Sequence, residues 1–224
     1  MTLQQNLDTF RADWEARVGE QIARLIGGDI DNLRATGILD RTAKTGDAFP
    51  ATTNLRDAHN AAFDLKALIA AKPVILTFYR GGWCPYCNLE LRAYQALLTS
   101  IEAEGAALVA VSPELPDHSL TTAQKNDLSF AVLSDVGGHL ASALGIRFTL
   151  SDAVKPFYEK AGHALPARNG DGSWALPMPA TFVIARGGRI AHASIEPDYR
   201  KRLDPQEALA ALRALNTAQP SRAA

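Results

Sequence analysis

The chain is poor in sulfur and in net charge. Its 224 residues include two cysteines, two methionines and three tryptophans, and the formal charge is −1. Two cysteines cannot supply a disulfide framework, and a chain of this length buries a sizeable core without one. A near-neutral balance with a pI of about 6.5 leaves no basic footprint for nucleic acid or for an anionic membrane surface, so neither is expected as a partner. No apolar run approaches membrane-spanning length. The start, Met1 to Asp8, lacks the basic segment and continuous apolar stretch of a secretory signal. A soluble, cytoplasmic protein is expected. No internal repeat is present, and the only low-complexity segment is a polar tail over residues 217–224.

Both cysteines fall in one short stretch, Phe78-Tyr79-Arg80-Gly81-Gly82-Trp83-Cys84-Pro85-Tyr86-Cys87, at the exit of an apolar run. A Cys-x-x-Cys pair can be a redox dithiol, half of a zinc site or a haem attachment point. Haem attachment needs a histidine directly after the second cysteine, where Asn88 stands. Structural zinc needs two further thiolate or imidazole ligands, and His59, His118, His139, His163 and His192 form no closely spaced pair. No metal and no cofactor is therefore expected. Two inert buried thiols would need neither this spacing nor the flanking Trp and Pro. Redox chemistry is the reading that uses the pattern, and a reducing compartment suits a pair that cycles.

Three regions separate by pattern. Residues 1–40 read as a helical extension: Leu7, Phe10, Trp14, Val18, Ile22 and Leu25 recur at helical steps, and Gly27-Gly28 is expected to stop the run. That stripe fits a helix packed on its own domain, the alternatives being a homodimer interface or a partner-docking face. Residues 45–216 alternate strand and helix. Pro73 to Tyr79 predicts a strand covered on both faces. Pro85 suits the first turn of a helix carrying Cys87, Leu91, Tyr94, Leu98 and Ile101, and Ala107 to Val111 returns as a parallel strand. Shorter elements follow around 117–126, 130–133 and 139–144. A Pro-, Gly- and Asn-rich stretch after Thr149 reads as mostly loop with one helix near 151–160. Thr181 to Ile184 and Ile190 to Ile195 flank a hairpin turn, and a helix from Pro205 to Leu215 closes the unit. The expected architecture is α/β, a central mixed β-sheet flanked by helices.

A strand that delivers a cysteine to a helix start favours thiolate there, because the first turn has unpaired N–H groups and the helix dipole attracts negative charge. Arg80 adds to that field or is a solvated loop charge; Glu90 opposes it if it turns back toward the site. Trp83 shields one side of the pair or is a core aromatic. None of the five histidines stands in a base–nucleophile arrangement, so all are read as surface or structural residues.

Several segments together resemble the thioredoxin fold and, more closely, the peroxiredoxin-like branch of the alkyl hydroperoxide reductase and thiol-specific antioxidant superfamily. They are Gly46-Asp47-Ala48-Phe49-Pro50, the strand into Phe78-Tyr79, Val109 to Glu114, Leu133-Ser134-Asp135, Leu144 to Phe148 and Phe182-Val183-Ile184. The resemblance covers about residues 45–215; the first 40 residues and a loop at about 161–178 lie outside it. It implies a peroxide substrate and recycling by a thioredoxin-type or low-molecular-weight thiol reductant. On the peroxiredoxin motif Pro-x-x-x-Thr/Ser-x-x-Cys, Cys87 takes the peroxidatic position, Cys84 replaces the hydroxyl residue and Arg80 the proline. Pro179 stands where the family places an activating arginine and where thioredoxins carry a cis-proline. Tyr79, Arg80, Trp83 and Pro179 are thus the supporting candidates beside Cys84 and Cys87.

Three activities remain open at this level. In a peroxidase, Cys87 becomes a sulfenic acid and Cys84 condenses with it to a disulfide. In a thioredoxin-like disulfide reductase, Cys84 attacks, Cys87 resolves and Pro179 holds the substrate chain. A redox sensor would form the disulfide without appreciable turnover. The peroxidase reading is favoured because the body between helix and late strand exceeds what a bare thioredoxin needs.

Overall fold

Strands buried on both faces alternate with amphipathic helices along most of the chain. The structure, a computed structural model, describes residues 2–50 and 54–218. In chain order the elements are α1 (Leu3–Val18), α2 (Glu20–Ala35), a 3-10 turn (Ile38–Arg41), β1 (Arg56–Asp57), α3 (Leu65–Ala71) and β2 (Val74–Phe78). Then come α4 (Pro85–Ala103), β3 (Ala107–Ser112), α5 (Pro116–Lys125), β4 (Ala131–Ser134), α6 (His139–Ala143), β5 (Arg147–Thr149) and α7 (Lys155–Lys160). The last are α8 (Leu165–Asn169), β6 (Ala175–Pro177), β7 (Ala180–Ile184), β8 (Ile190–Ile195) and α9 (Pro205–Ala218). No helix among the described residues is long and apolar enough to cross a membrane.

The main sheet has the order β1-β4-β3-β2-β7-β8. β2, β3 and β4 are parallel, β7 runs antiparallel to β2, and β8 and β1 are antiparallel edges. Every residue of β2 is buried, which explains its unbroken apolar sequence, and its side chains alternate between two cores. Ile75 joins Leu91, Tyr94, Ile101, Leu108 and Leu212 on one face, under α4 and α9. Leu76 and Phe78 join Leu65, Val109, Leu140 and Phe182 on the other. The mixed sheet flanked by helices, the parallel β2-α4-β3 unit and the β7-β8 hairpin match the sequence expectations.

Two expectations are corrected. The N-terminal helical run breaks at Gly19, not at Gly27-Gly28. Gly19 has φ +80°, a conformation L side chains rarely adopt, whereas α2 passes straight through Gly27 and Gly28. A glycine interrupts a helix only where the chain turns; burial of Ile26 and Ile30 against Leu150, Val154 and Tyr158 keeps α2 continuous across the pair. The stretch read as mostly loop also holds more structure than expected. α8 lies within the segment 161–178, and β6 pairs with β5 in a second, two-stranded sheet. Leu165, Ala175 and Leu176 are fully buried there, and that burial orders a segment whose composition suggests turns.

The apolar stripe of the first helices is spent largely on the chain's own domain. Leu3 and Leu7 enter the core beside α4, and Phe10 stands edge-on to Tyr86 with ring centroids 5.0 Å apart. Trp14 packs edge-on to Phe157 at 6.2 Å.

Candidate active site

β2 ends at Phe78 and hands the chain to a tight loop, Tyr79 to Trp83, before Cys84 caps α4. Gly81 has φ +150°, and a Cβ there would stand 2.3 Å from Trp83 Nε1. A Cβ on Gly82 would meet Thr122 Oγ1 at 2.1 Å. Only glycine fits at either position. The Gly82 N–H donates to Glu114 Oε2 at 2.7 Å, and its carbonyl accepts from Asn88 Nδ2 at 3.0 Å. Asn88 is itself held by Asn126, and Asn126 by Arg92. The cysteine loop is thereby fixed at the two successive peptide groups that flank Gly82.

Both thiols are free and buried: Cys84 is 1% exposed and Cys87 0%. Two arginines close on them. Arg80, 2% exposed, is no solvated loop charge. Its backbone N–H points at Cys87 Sγ at 3.4 Å. Its guanidinium donates to the Tyr158 hydroxyl and lies 3.9 Å from the Tyr199 ring centroid and 5.0 Å from that of Trp83. Among the described residues it has no carboxylate partner within ion-pair distance. Arg202, from the loop between β8 and α9, reaches Cys87 Sγ with Nη2 at 3.5 Å and pairs through Nε with Glu90 Oε2 at 2.6 Å. Both side chains of that pair are 1% exposed.

This environment divides the two thiols. Burial opposes ionisation of Cys84, but the Cys87 thiol donating to it and the Arg80 and Arg202 cations outweigh burial and hold it below the usual thiol range. Cys87 is pushed well up by burial, by donating to Cys84 and by the charge on Cys84. Both arginine cations thus oppose the effect of burial on the pair, and Cys84 stands at the N-cap of α4, where the helix dipole favours negative charge. Glu90 does turn back toward the site, as its sequence position allows, but its charge is met by Arg202. Burial still pushes Glu90 up to about 7. Beneath it the hydroxyls of Thr77, Thr181 and Tyr94 form a buried line, with Thr77 donating to Glu90.

The supporting candidates fall unequally. Trp83 is half-buried and packs on Tyr158 and His163, with centroid separations of 5.7 and 4.9 Å. It lies in the cysteine loop itself, and it brings His163, read from sequence as surface or structural, into the wall of the site. Tyr79 is fully buried in the cluster that contains both cysteines, and its hydroxyl has no hydrogen-bond partner among the described residues; burial pushes its pKa up. Pro179 is buried one residue before Ala180, which pairs with Phe78. It stands beside the strand end that delivers the cysteines, and its peptide bond is trans. No arginine stands at Pro179, and the one that reaches Cys87 with its side chain, Arg202, comes from a different segment. Arg202, Tyr158, Tyr199 and Glu114 had no spacing signal in the sequence; the basic run Arg200-Lys201-Arg202 after the last strand is the one hint a search for a second arginine could have used.

The arrangement can hold a thiolate, place a second thiol to close a disulfide with it, and offer cations to a departing oxygen. Residues 45–193 match the AhpC/TSA family. The chain is 28% identical to alkyl hydroperoxide reductase E of Mycobacterium tuberculosis over 162 residues, covering 71% of this chain and 92% of that protein. Among solved structures it is similar to peroxidoxin BcpB from Mycobacterium tuberculosis, with a TM-score of 0.60 at 23% identity over 77% of this chain and 97% of that one. It is likewise similar to reduced Prx3 in complex with H2O2 from Vibrio vulnificus, with a TM-score of 0.60 at 20% identity over 76% and 98%. With its thioredoxin fold and its buried dithiol at the head of α4, the chain belongs to the AhpC/TSA family and is a thiol-dependent oxidoreductase of the peroxiredoxin type.

Proposed function

We propose that the protein reduces hydrogen peroxide or organic hydroperoxides with Cys84 as the attacking thiolate and Cys87 as the resolving thiol. The observation that carries this reading is the place of Cys84 at the N-cap of α4, where the unpaired first-turn N–H groups favour a thiolate, with Cys87 one turn further along and buried beside it. Cys84 thiolate attacks one peroxide oxygen; the O–O bond breaks, and the other oxygen leaves with the bonding pair and takes up a proton. The sulfenic acid on Cys84 then condenses with Cys87, releasing water and leaving a disulfide, which two electrons from a thiol reductant reopen. Arg80 and Arg202 bring positive charge to the departing oxygen, the kind of stabilisation commonly worth about 3 kcal/mol per donor.

Burial of both sulfurs supports a small substrate over a disulfide on a folded protein, which would need an exposed sulfur to attack. A cycle of this kind suits a reducing compartment such as the cytoplasm, with a thioredoxin-type or low-molecular-weight thiol as donor. A second reading rests on the two donors aimed at Cys87, the Arg80 N–H and Arg202 Nη2. Those contacts favour Cys87 as first attacker, in the family's peroxidatic position.

Stopped-flow oxidation by hydrogen peroxide of Cys84→Ser and Cys87→Ser separates the two. Cys87→Ser is expected to retain the fast first step and to accumulate sulfenic acid, whereas Cys84→Ser loses it. The opposite result assigns the attack to Cys87. A parent protein that reacts with peroxide no faster than free cysteine while reducing insulin disulfides rapidly would remove the peroxidase reading altogether.

A further inference from the structure

The segment carrying α7 and α8 touches the cysteine loop from outside, and its two polar contacts land on the groups that shape the thiols. The first is Tyr158 on α7. Its hydroxyl accepts a hydrogen bond from the Arg80 guanidinium, and its ring stands 5.6 Å from that group. Arg80 has no ion-pair partner among the described residues, and its Nε is buried without an acceptor. An arginine side chain carries several rotatable bonds, so a buried guanidinium with one hydrogen-bond acceptor takes its position from that acceptor. Trp83 and His163 stack against the same edge of α7.

The second contact is Arg168 on α8. Its Nε donates to Glu114 Oε1 at 2.9 Å, and the other oxygen of that carboxylate holds the Gly82 N–H at 2.7 Å. The Glu114 side chain is 0% exposed and that of Arg168 27%. Leu115 N–H donates to the Arg168 carbonyl at 2.9 Å, tying α8 to the same turn through the backbone. A fully buried carboxylate that loses its cation is held by a single N–H and must protonate or move, and moving carries Gly82 with it. Trp83, Thr122 and Glu114 pack directly against Gly81 and Gly82, leaving no room for a side chain at either, so the loop lies in close contact with the carboxylate.

We propose that the α7–α8 segment is a positioning element of the thiol site, acting through Tyr158 on the Arg80 guanidinium and through the Arg168–Glu114 pair on the Gly82 backbone. Its residues do not touch the reacting sulfur. They set where the Arg80 charge stands and how the loop presents Cys84 at the N-cap of α4. Both contacts therefore favour the thiolate. The assignment deepens the peroxidase reading and rests on it for rates with peroxide, but not for the ionisation of the thiols.

The test uses Tyr158→Phe, which keeps the ring and removes the hydroxyl, Arg168→Met, which keeps most of the side-chain volume, and Arg168→Lys. The pH midpoint of thiolate formation is read by ultraviolet absorbance and by the pH profile of alkylation with iodoacetamide, with urea unfolding midpoints as a check on folding. Each of the first two substitutions is expected to raise the thiolate midpoint by about half a pH unit or more and to slow peroxide oxidation roughly threefold to tenfold near neutrality. Arg168→Lys is expected to recover part of the Arg168→Met effect. Midpoints that stay at the parent value, or that fall, in both folded variants overturn the proposal. If the parent itself does not react with peroxide, the function proposed above fails, while the thiol midpoints still decide the role of this segment.

Discussion

At the scale of single residues, the site is organised by two buried arginines with different partners. Arg202 faces a carboxylate, and Arg80 faces phenolic rings and the thiols. The difference predicts different costs on removal. Arg202→Met leaves the Glu90 carboxyl, 1% exposed and already pushed up to about 7, buried without its cation, and is expected to destabilise the fold by about 3–5 kcal/mol in urea unfolding at alkaline pH and by less below pH 7, where the carboxyl takes up a proton. Adding Glu90→Gln, which keeps an acceptor for the Thr77 hydroxyl, should recover most of that loss. A double variant as unstable as the sum of the two single ones would show that the pair is not the interaction at stake. The cysteine pair was legible as a redox dithiol from its spacing together with its flanking residues and the lack of further ligands nearby in sequence. Its charged surroundings were not, because they depend on Arg202, which lies 115 residues from Cys87 in sequence, and on the depth at which both cysteines sit.

At the scale of elements, α4 was readable because Pro85 and the stripe Leu91, Tyr94, Leu98 and Ile101 are local signals: Pro85 is the first helical residue and the stripe is buried. The break between α1 and α2 was misplaced because three glycines compete for it, and only tertiary packing decides which one turns. Those two helices do more than cover apolar surface. Arg34 on α2 pairs with Glu196 at 2.8 Å, and Glu15 on α1 lies 3.7 Å from Arg200, which is fixed in turn by Asp198. The loop that carries Arg202 is thus bracketed by the N-terminal extension. Leu7 is 0% exposed beside α4, so Leu7→Ala is expected to cost about 2–5 kcal/mol, at the upper end if α1 cannot settle into the cavity. The urea midpoint checks the magnitude, and a loss below about 0.5 kcal/mol would mean that α1 is not docked as described.

At the scale of the whole molecule, the dithiol is a closed site. Neither sulfur is more than 1% exposed, and the wall over them is assembled from the cysteine loop, α7, α8 and the loop after β8. Closure predicts a size limit. A bulky maleimide should label the reduced native protein at least about tenfold more slowly than the urea-unfolded chain, while a molecule of peroxide's size is not held back in this way. Equal labelling of native and unfolded protein would contradict a closed site. The fold class followed from the sequence because the buried strands and the glycine-proline punctuation between them are local patterns with few topological solutions. The dithiol followed because its spacing and its place between strand and helix are also local. The partners of those thiols are a matter of tertiary structure. Arg202, Tyr158, Glu114 and Arg168 come from four segments whose own sequences carry no shared signal. Their charges and hydrogen bonds reach the site only when the sheet brings the ends of β2, β3 and β8 together, and that convergence fixes what surrounds the two sulfurs.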